Sequence, residues 1–300
     1  YKAMAEEGAL PVRLYVMLSA DSKTLAERAA GYPLVGAVDN HLTVRTIKRL
    51  MDGALGAHGA WLLESYADLP PGALNPAGLN TESLEEMRAT AAFAIERGFQ
   101  LSTHAIGDRG NRETLDIYEA AMKAHPDKTD LRWRVEHAQH LAPADIPRFH
   151  ALGVIPAMQA VHCTSDAPWV LKRLGEKRAG EGAYVWRKLM DAGSIIPNGT
   201  DVPVEPIAPM SCFFAAVTRK LKDGSLFYPD QKMTREEALR SYTINGAYAG
   251  FEETIKGSLT PGKLADITVL SRDILTCPED DLPGTEVLYT IVGGKVLYQR

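Results

Sequence analysis

The chain has 300 residues, 45% of them hydrophobic and 24% charged, a balance that suits a globular protein with a sizeable core. A formal net charge of −5 offers no basic footprint to nucleic acid or an anionic membrane surface, and no apolar run approaches the roughly 18 residues of a membrane span. Three widely spaced cysteines, Cys163, Cys212 and Cys277, make no disulfide framework, so a reducing, cytoplasmic setting is expected, although a signal peptide lost upstream would leave no trace.

The opening, Tyr1 to Glu7, reads as the tail of a helix closed by Gly8, which implies that earlier sequence precedes it. Pro11 to Ala20 is an apolar strand and Asp21 to Gly31 a helix; His41 to Met51 is the next strand, broken at Asp52-Gly53. Ala54 to Asn80, with Pro70-Pro71 and Pro76, is long and irregular, the profile of an active-site loop. A helix follows from Thr81 to Gly98, opened by a capping box built from Thr81, Ser83, Glu85 and Glu86. Phe99 to His104 is a strand, and Asn111 to His125 a helix with Leu115, Tyr118, Ala121 and Met122 on one face. The alternation continues with strand Leu131 to His137, helix Pro143 to Leu152, strand Gly153 to Gln159, helix Tyr184 to Ala192, strand Ser194 to Thr200 and helix Thr234 to Gly246. Such βα alternation predicts a parallel sheet covered by helices. Past Gly250 the texture changes to strands within Lys256 to Leu270 and Thr285 to Tyr298, with Gly293-Gly294 as a hairpin turn. The expected boundary therefore divides residues 1–250 from residues 251–300.

Three strand ends carry ligand-type residues: His104, His137 and Asp201. In a parallel sheet those ends form the carboxyl edge, where barrel active sites are built. Singly, a strand-end histidine has a structural alternative as a hydrogen-bonded residue, and an aspartate after Gly-Thr as a turn or cap. Together, two neutral imidazoles and a carboxylate suit Zn²⁺ or a similar divalent ion. Lys48, in a mostly apolar strand, either snorkels to the surface or is buried near the same edge, where carboxylation by CO₂ would make it an anionic ligand.

His104-Ala105-Ile106-Gly107-Asp108-Arg109, Glu136-His137-Ala138-Gln139 and Gly199-Thr200-Asp201-Val202-Pro203-Val204 resemble signature blocks of the amidohydrolase superfamily. Asp52-Gly53-Ala54-Leu55-Gly56, Tyr184-Val185-Trp186-Arg187 and Gly257 to Asp266 extend the resemblance along essentially the whole chain. It is nearest the family 3 branch, which includes N-substituted formamide deformylases and exoenzyme regulatory proteins. The resemblance implies an α/β fold, a TIM-type (β/α)₈ hydrolase barrel with strands three to eight in this chain, followed by the C-terminal part of a small β-sandwich. It also implies that His104, His137, Asp201 and a carboxylated Lys48 hold one or two divalent metals, Zn foremost. The His-x-His pair that the superfamily carries after strand one is absent from the eight histidines here. Two barrel strands and that pair are therefore expected before Tyr1, so that these residues by themselves would form an open barrel; the other explanation is a degenerate, non-catalytic descendant.

The resemblance further implies that metal-activated water cleaves a non-peptide C–N bond in an amide, N-acyl or N-formyl compound, with Asp201 moving the proton. A lactone or phosphoester substrate is the rival within the fold, and a regulatory binding protein the rival outside it. Gln159, His162, Asp166 and Trp169, after strand seven, resemble a substrate-facing loop, with His162 placed to hold an oxyanion. Arg187 is either a substrate anchor or a surface ion-pair residue. The expected partner is a small-molecule substrate, with homo-oligomerisation open.

Overall fold

The computed structural model covers residues 1–300. Five strands form a parallel sheet: β1 (Leu14–Leu18), β3 (Leu42–Leu50), β4 (Gln100–Ala105), β5 (Arg134–His137) and β6 (Ile155–Ala157), neighbours in that order. A short β2 (Leu34–Gly36) pairs antiparallel with β3. The predicted strand from Ser194 to Thr200 is reduced to a single parallel bridge between Met158 and Asn198. Pro197 has no N–H to give, and the Asn198 N–H goes to the carbonyl of Ser241 at 3.0 Å, so the ladder cannot lengthen. β1 and this last segment end the row and do not pair with each other.

Helices alternate with the strands and bury one face against them. Helix Leu84–Arg97 starts at Ser83, whose hydroxyl accepts the Glu86 N–H, and ends on Gly98 at φ 74°. The capping box predicted there does not close: Glu86 turns instead to the amide and hydroxyl of Ser22 and to Arg49. A complete box forms at Thr234 and Glu237, opening helix Arg235–Tyr242. Helix Asp108–Ala124 begins three residues earlier than its apolar pattern and buries Leu115 and Tyr118. Among the helices not foreseen are Ala160–Ser165, Ala167–Gly182 and Pro209–Thr218. The second of these contains a break at Gly175, φ 74°, which obscures its periodicity. The main core is a cluster of 48 buried residues from sheet and helices, including Ile47, Leu101, Val135, Trp133 and Trp186.

The C-terminal strands β7 (Ile267–Leu270), β8 (Val287–Val292) and β9 (Lys295–Gln299) make a separate antiparallel sheet. Gly293 and Gly294, both at positive φ, form the tight turn between β8 and β9 that their pairing demanded. Asp266 joins this sheet to the parallel one, accepting from the Gly293 amide and from Arg13 Nε at 2.8 Å each. No helix is long and apolar enough to cross a membrane.

Candidate metal-binding active site

The strand registers assemble the site. β3 and β4 align Lys48 with Ser102 and Leu50 with His104, and β4 and β5 align Ala105 with His137. His104 and His137 thus leave the sheet at the same edge, with ring centroids 4.5 Å apart and edge to face. Lys48 lies deeper on its strand and lines the same cavity, together with His104, His137, His162, Asp166 and Asp201. That cavity holds about 370 Å³. Ligand atoms of His137, His162 and Asp201 all lie within 4.8 Å of one another, with His162 Nε2 3.3 Å from Asp201 Oδ2. His104 stands just outside this group because its Nε2 points towards Asp52, 3.7 Å away.

The backbone is bent to present these side chains. His137 at φ 78°, Ala138 at 42° and Asp201 at 61° all occupy the left-handed region, at a cost of about 1–3 kcal/mol each. Non-glycine residues collect there where the surrounding fold holds them in place for a purpose.

Burial sets the charge state. It drives His104 down to about 3, helped by His137 and Lys48, and it lowers His137 as well, so both rings are neutral with lone pairs to offer. Burial likewise pulls Lys48 below the usual lysine range, against the opposing charge of Glu136. Burial alone would raise Asp201, but its contact with His162 and the fields of His137 and Lys48 outweigh it and hold the carboxylate below its ordinary value. Glu136, also buried, stays ionised through Arg134, Lys48 and the Ser102 hydroxyl at 2.6 Å.

Two glutamines orient the histidines. Gln159 Oε1 lies 2.7 Å from His137 Nδ1, which places the proton on Nδ1 and leaves the Nε2 lone pair free. Gln139 Nε2 lies 2.9 Å from His162 Nδ1; with the amide donating, the His162 proton sits on Nε2. That Nε2 is buried and makes no hydrogen bond within the fold, and neither does His104 Nε2. Unpaired buried imidazole nitrogens beside a carboxylate are the chemistry a divalent cation and its substrate would complete.

The structure places several of the sequence-predicted residues away from the cavity. Gln159 does not face the cavity but buttresses His137 from behind. Trp169 does not line it either; its ring is 45% exposed and stands near Gly56, with Lys172 and Arg173 against it. Arg187 is outside the cavity, its guanidinium held by Glu237 at 2.6 Å. Asp166 and His162 do line it, His162 in helix Ala160–Ser165 and Asp166 at the bend between that helix and the next. Sequence reading missed Gln139, Glu136 and Asp52. Asp52 is wholly buried and accepts the amides of Trp61, Ile106 and Gly107, and burial pushes it up to about 7 despite those bonds. It pins the long loop to the turn after His104. Gly107 is obligatory there, since a Cβ would lie 2.1 Å from the Trp61 carbonyl oxygen. The Asp52-Gly53 break and the Asp52 to Gly56 block were the sequence signals of this, and neither gave Asp52 a role.

The sequence profile of the amidohydrolase family matches residues 1–298. The chain belongs to the amidohydrolase family. It is 37% identical over 253 residues to Protein LONG AFTER FAR-RED 3 of Arabidopsis thaliana, covering 84% of this chain and 42% of that protein. It is 31% identical over 224 residues to the N-substituted formamide deformylase of Arthrobacter pascens, covering 74% of this chain and 41% of that one. An uncharacterized metal-dependent hydrolase from Pyrococcus horikoshii OT3 superposes with a TM-score of 0.79 at 29% identity, over 93% of this chain and 54% of that chain. The chain thus spans about half the length of the relatives it matches. The fold is the TIM-type α/β barrel plan of these amidohydrolases, with the cavity at the carboxyl edge of the sheet.

Proposed function

We propose that the protein is a metal-dependent hydrolase of non-peptide C–N bonds, acting on an amide, N-acyl or N-formyl compound. The observation that carries this reading is the convergence of His137, His162 and Asp201 within 4.8 Å in a cavity shared with His104 and Lys48. His104, His137, Asp201 and a carboxylated Lys48 would hold one or two divalent ions, and two imidazoles with two anionic oxygen donors suit zinc. A metal so held supplies Lewis acidity and makes water ionise nearer to neutral pH. Asp201, kept ionised at the cavity wall, accepts the proton of the attacking water and returns it to the nitrogen that leaves. His162 Nε2–H, lacking any acceptor in the fold's hydrogen-bond network, is the donor for the carbonyl oxygen as charge builds on it. The likeness to a formamide deformylase supports an N-formyl substrate, and the free state of all three cysteines suits a reducing compartment.

The test uses protein expressed from its complete coding sequence, assayed for bound metal and for acid release from N-substituted formamides and acetamides. Bound zinc with formate or acetate release supports the reading. Metal-loaded protein that leaves every amide intact while opening a lactone or phosphoester would overturn it.

A further inference from the structure

Asp166 begins helix Ala167–Gly182 but does not cap it: its carboxylate accepts no amide of the first turn. An aspartate at this position ordinarily satisfies one of those amides. Here one oxygen, Oδ2, is taken by the Tyr184 hydroxyl at 2.6 Å. That bond is the sole one the fold makes to the carboxylate, so Oδ1 is left unclaimed on the cavity wall. Tyr184 is held hard. It is 1% exposed, its amide donates to the Gln139 carbonyl at 2.7 Å, and its own carbonyl accepts from Arg219 at 3.0 Å. The same residue therefore anchors the segment carrying Gln139, which orients His162, and fixes Asp166.

The charge around Asp166 is one-sided. Glu205 lines the same cavity, and neither carboxylate has a lysine or arginine within ion-pair distance. The single lysine or arginine on the cavity wall is Lys48, which lies in the fields of Glu136 and Asp201. One turn before Asp166, the buried His162 Nε2 faces Asp201 at 3.3 Å and makes no hydrogen bond within the fold. A substrate that filled this space and drove out water would strand the Asp166 carboxylate unless it brought a countercharge.

We propose that Asp166, positioned by Tyr184, is the specificity-determining residue, and that the preferred substrate is an amide carrying an ammonium or guanidinium group remote from the scissile bond. This rests on the amide-hydrolase reading above. The tyrosine of the Tyr-Val-Trp-Arg motif, rather than its arginine, is what serves the site.

The probe pair is N-(5-aminopentyl)formamide and N-hexylformamide, which differ by an ammonium in place of a methyl group. Binding to the metal-free protein is measured by calorimetry, and formate release is measured on the metal-loaded protein. The cationic probe should bind about 10- to 100-fold more tightly, the range of a charge-assisted hydrogen bond. Asp166→Asn should bring that ratio to within about threefold of unity. Tyr184→Phe should lower it by a smaller factor, about 3- to 10-fold, and E205Q less than D166N. Thermal melts of each variant establish that it folds. Equal binding of the two probes, or a preference that survives D166N, overturns the proposal, as does a preference abolished by E205Q alone. Cation-selective binding without formate release would instead count against the hydrolase reading and leave the cation site standing.

Discussion

Two layers of the molecule contain buried histidines of the same electrostatic kind, and they do opposite things. In the cavity, His104 is held near a pKa of about 3 by burial, with a nitrogen that finds no partner. His140, also near 3 through burial alone, packs edge to face on Tyr184 at 5.4 Å, with neither ring nitrogen bonded. What separates them is the surroundings. His104 opens on a space shared with His137, Asp201 and Lys48, whereas His140 is enclosed by packed side chains. A depressed histidine marks burial; an accompanying cavity with convergent carboxylates marks chemistry.

The comparison is tested most severely by Asp201→Asn. It should cut kcat/KM by about 10³-fold while leaving the unfolding midpoint near that of the parent, since the residue moves a proton and holds little of the core. An Asn variant of undiminished activity would remove Asp201 from the mechanism. Zinc should then stabilise the protein by about 2.7 kcal/mol at one hundred times its Kd, read as a shift in the urea midpoint. That shift should vanish in H137A and persist in H162A; loss in both would make His162 a ligand and not an oxyanion donor.

The enclosed histidine is probed through pH. His140 binds its proton more weakly in the fold than in the unfolded chain, so protons favour unfolding. Its contribution is intact above about pH 6.5 and is lost as pH falls towards 3. Between pH 7 and 4.5 the parent should lose on the order of 2 kcal/mol that H140L keeps, measured by urea unfolding at both values. Identical pH slopes would show that His140 is protonated without penalty. The smallest effect is expected from Arg187→Ala. Its partners are surface residues, so stability should change by less than about 1 kcal/mol and activity by less than about threefold. A large loss of substrate binding would restore it to the site.

Much of this was legible along the chain because it depends on short-range rules. Alternating apolar strands and amphipathic helices predicted a parallel sheet, and residues at strand ends necessarily share its carboxyl edge, which is why His104, His137 and Asp201 could be grouped. The hairpin at Gly293-Gly294 was equally local, since two consecutive positive φ angles favour glycine. The helix from Ala167 to Gly182 was not legible, because a break at Gly175 interrupts its apolar period. Nor was the failure of strand Ser194 to Thr200, which turned on where one amide, that of Asn198, found its acceptor.

By itself, then, the sequence determined the fold class, the edge at which the site lies and the kind of donor found there, all consequences of periodicity and residue type. Tertiary structure alone decided which side chains meet. Gln159 turned away from the cavity to hold His137, Arg187 was claimed by Glu237, and Asp166 gave up its capping role for the Tyr184 hydroxyl. Each of these choices is a competition between hydrogen-bond partners at least 18 residues apart in the chain, and only the folded arrangement brings such competitors within reach of one another.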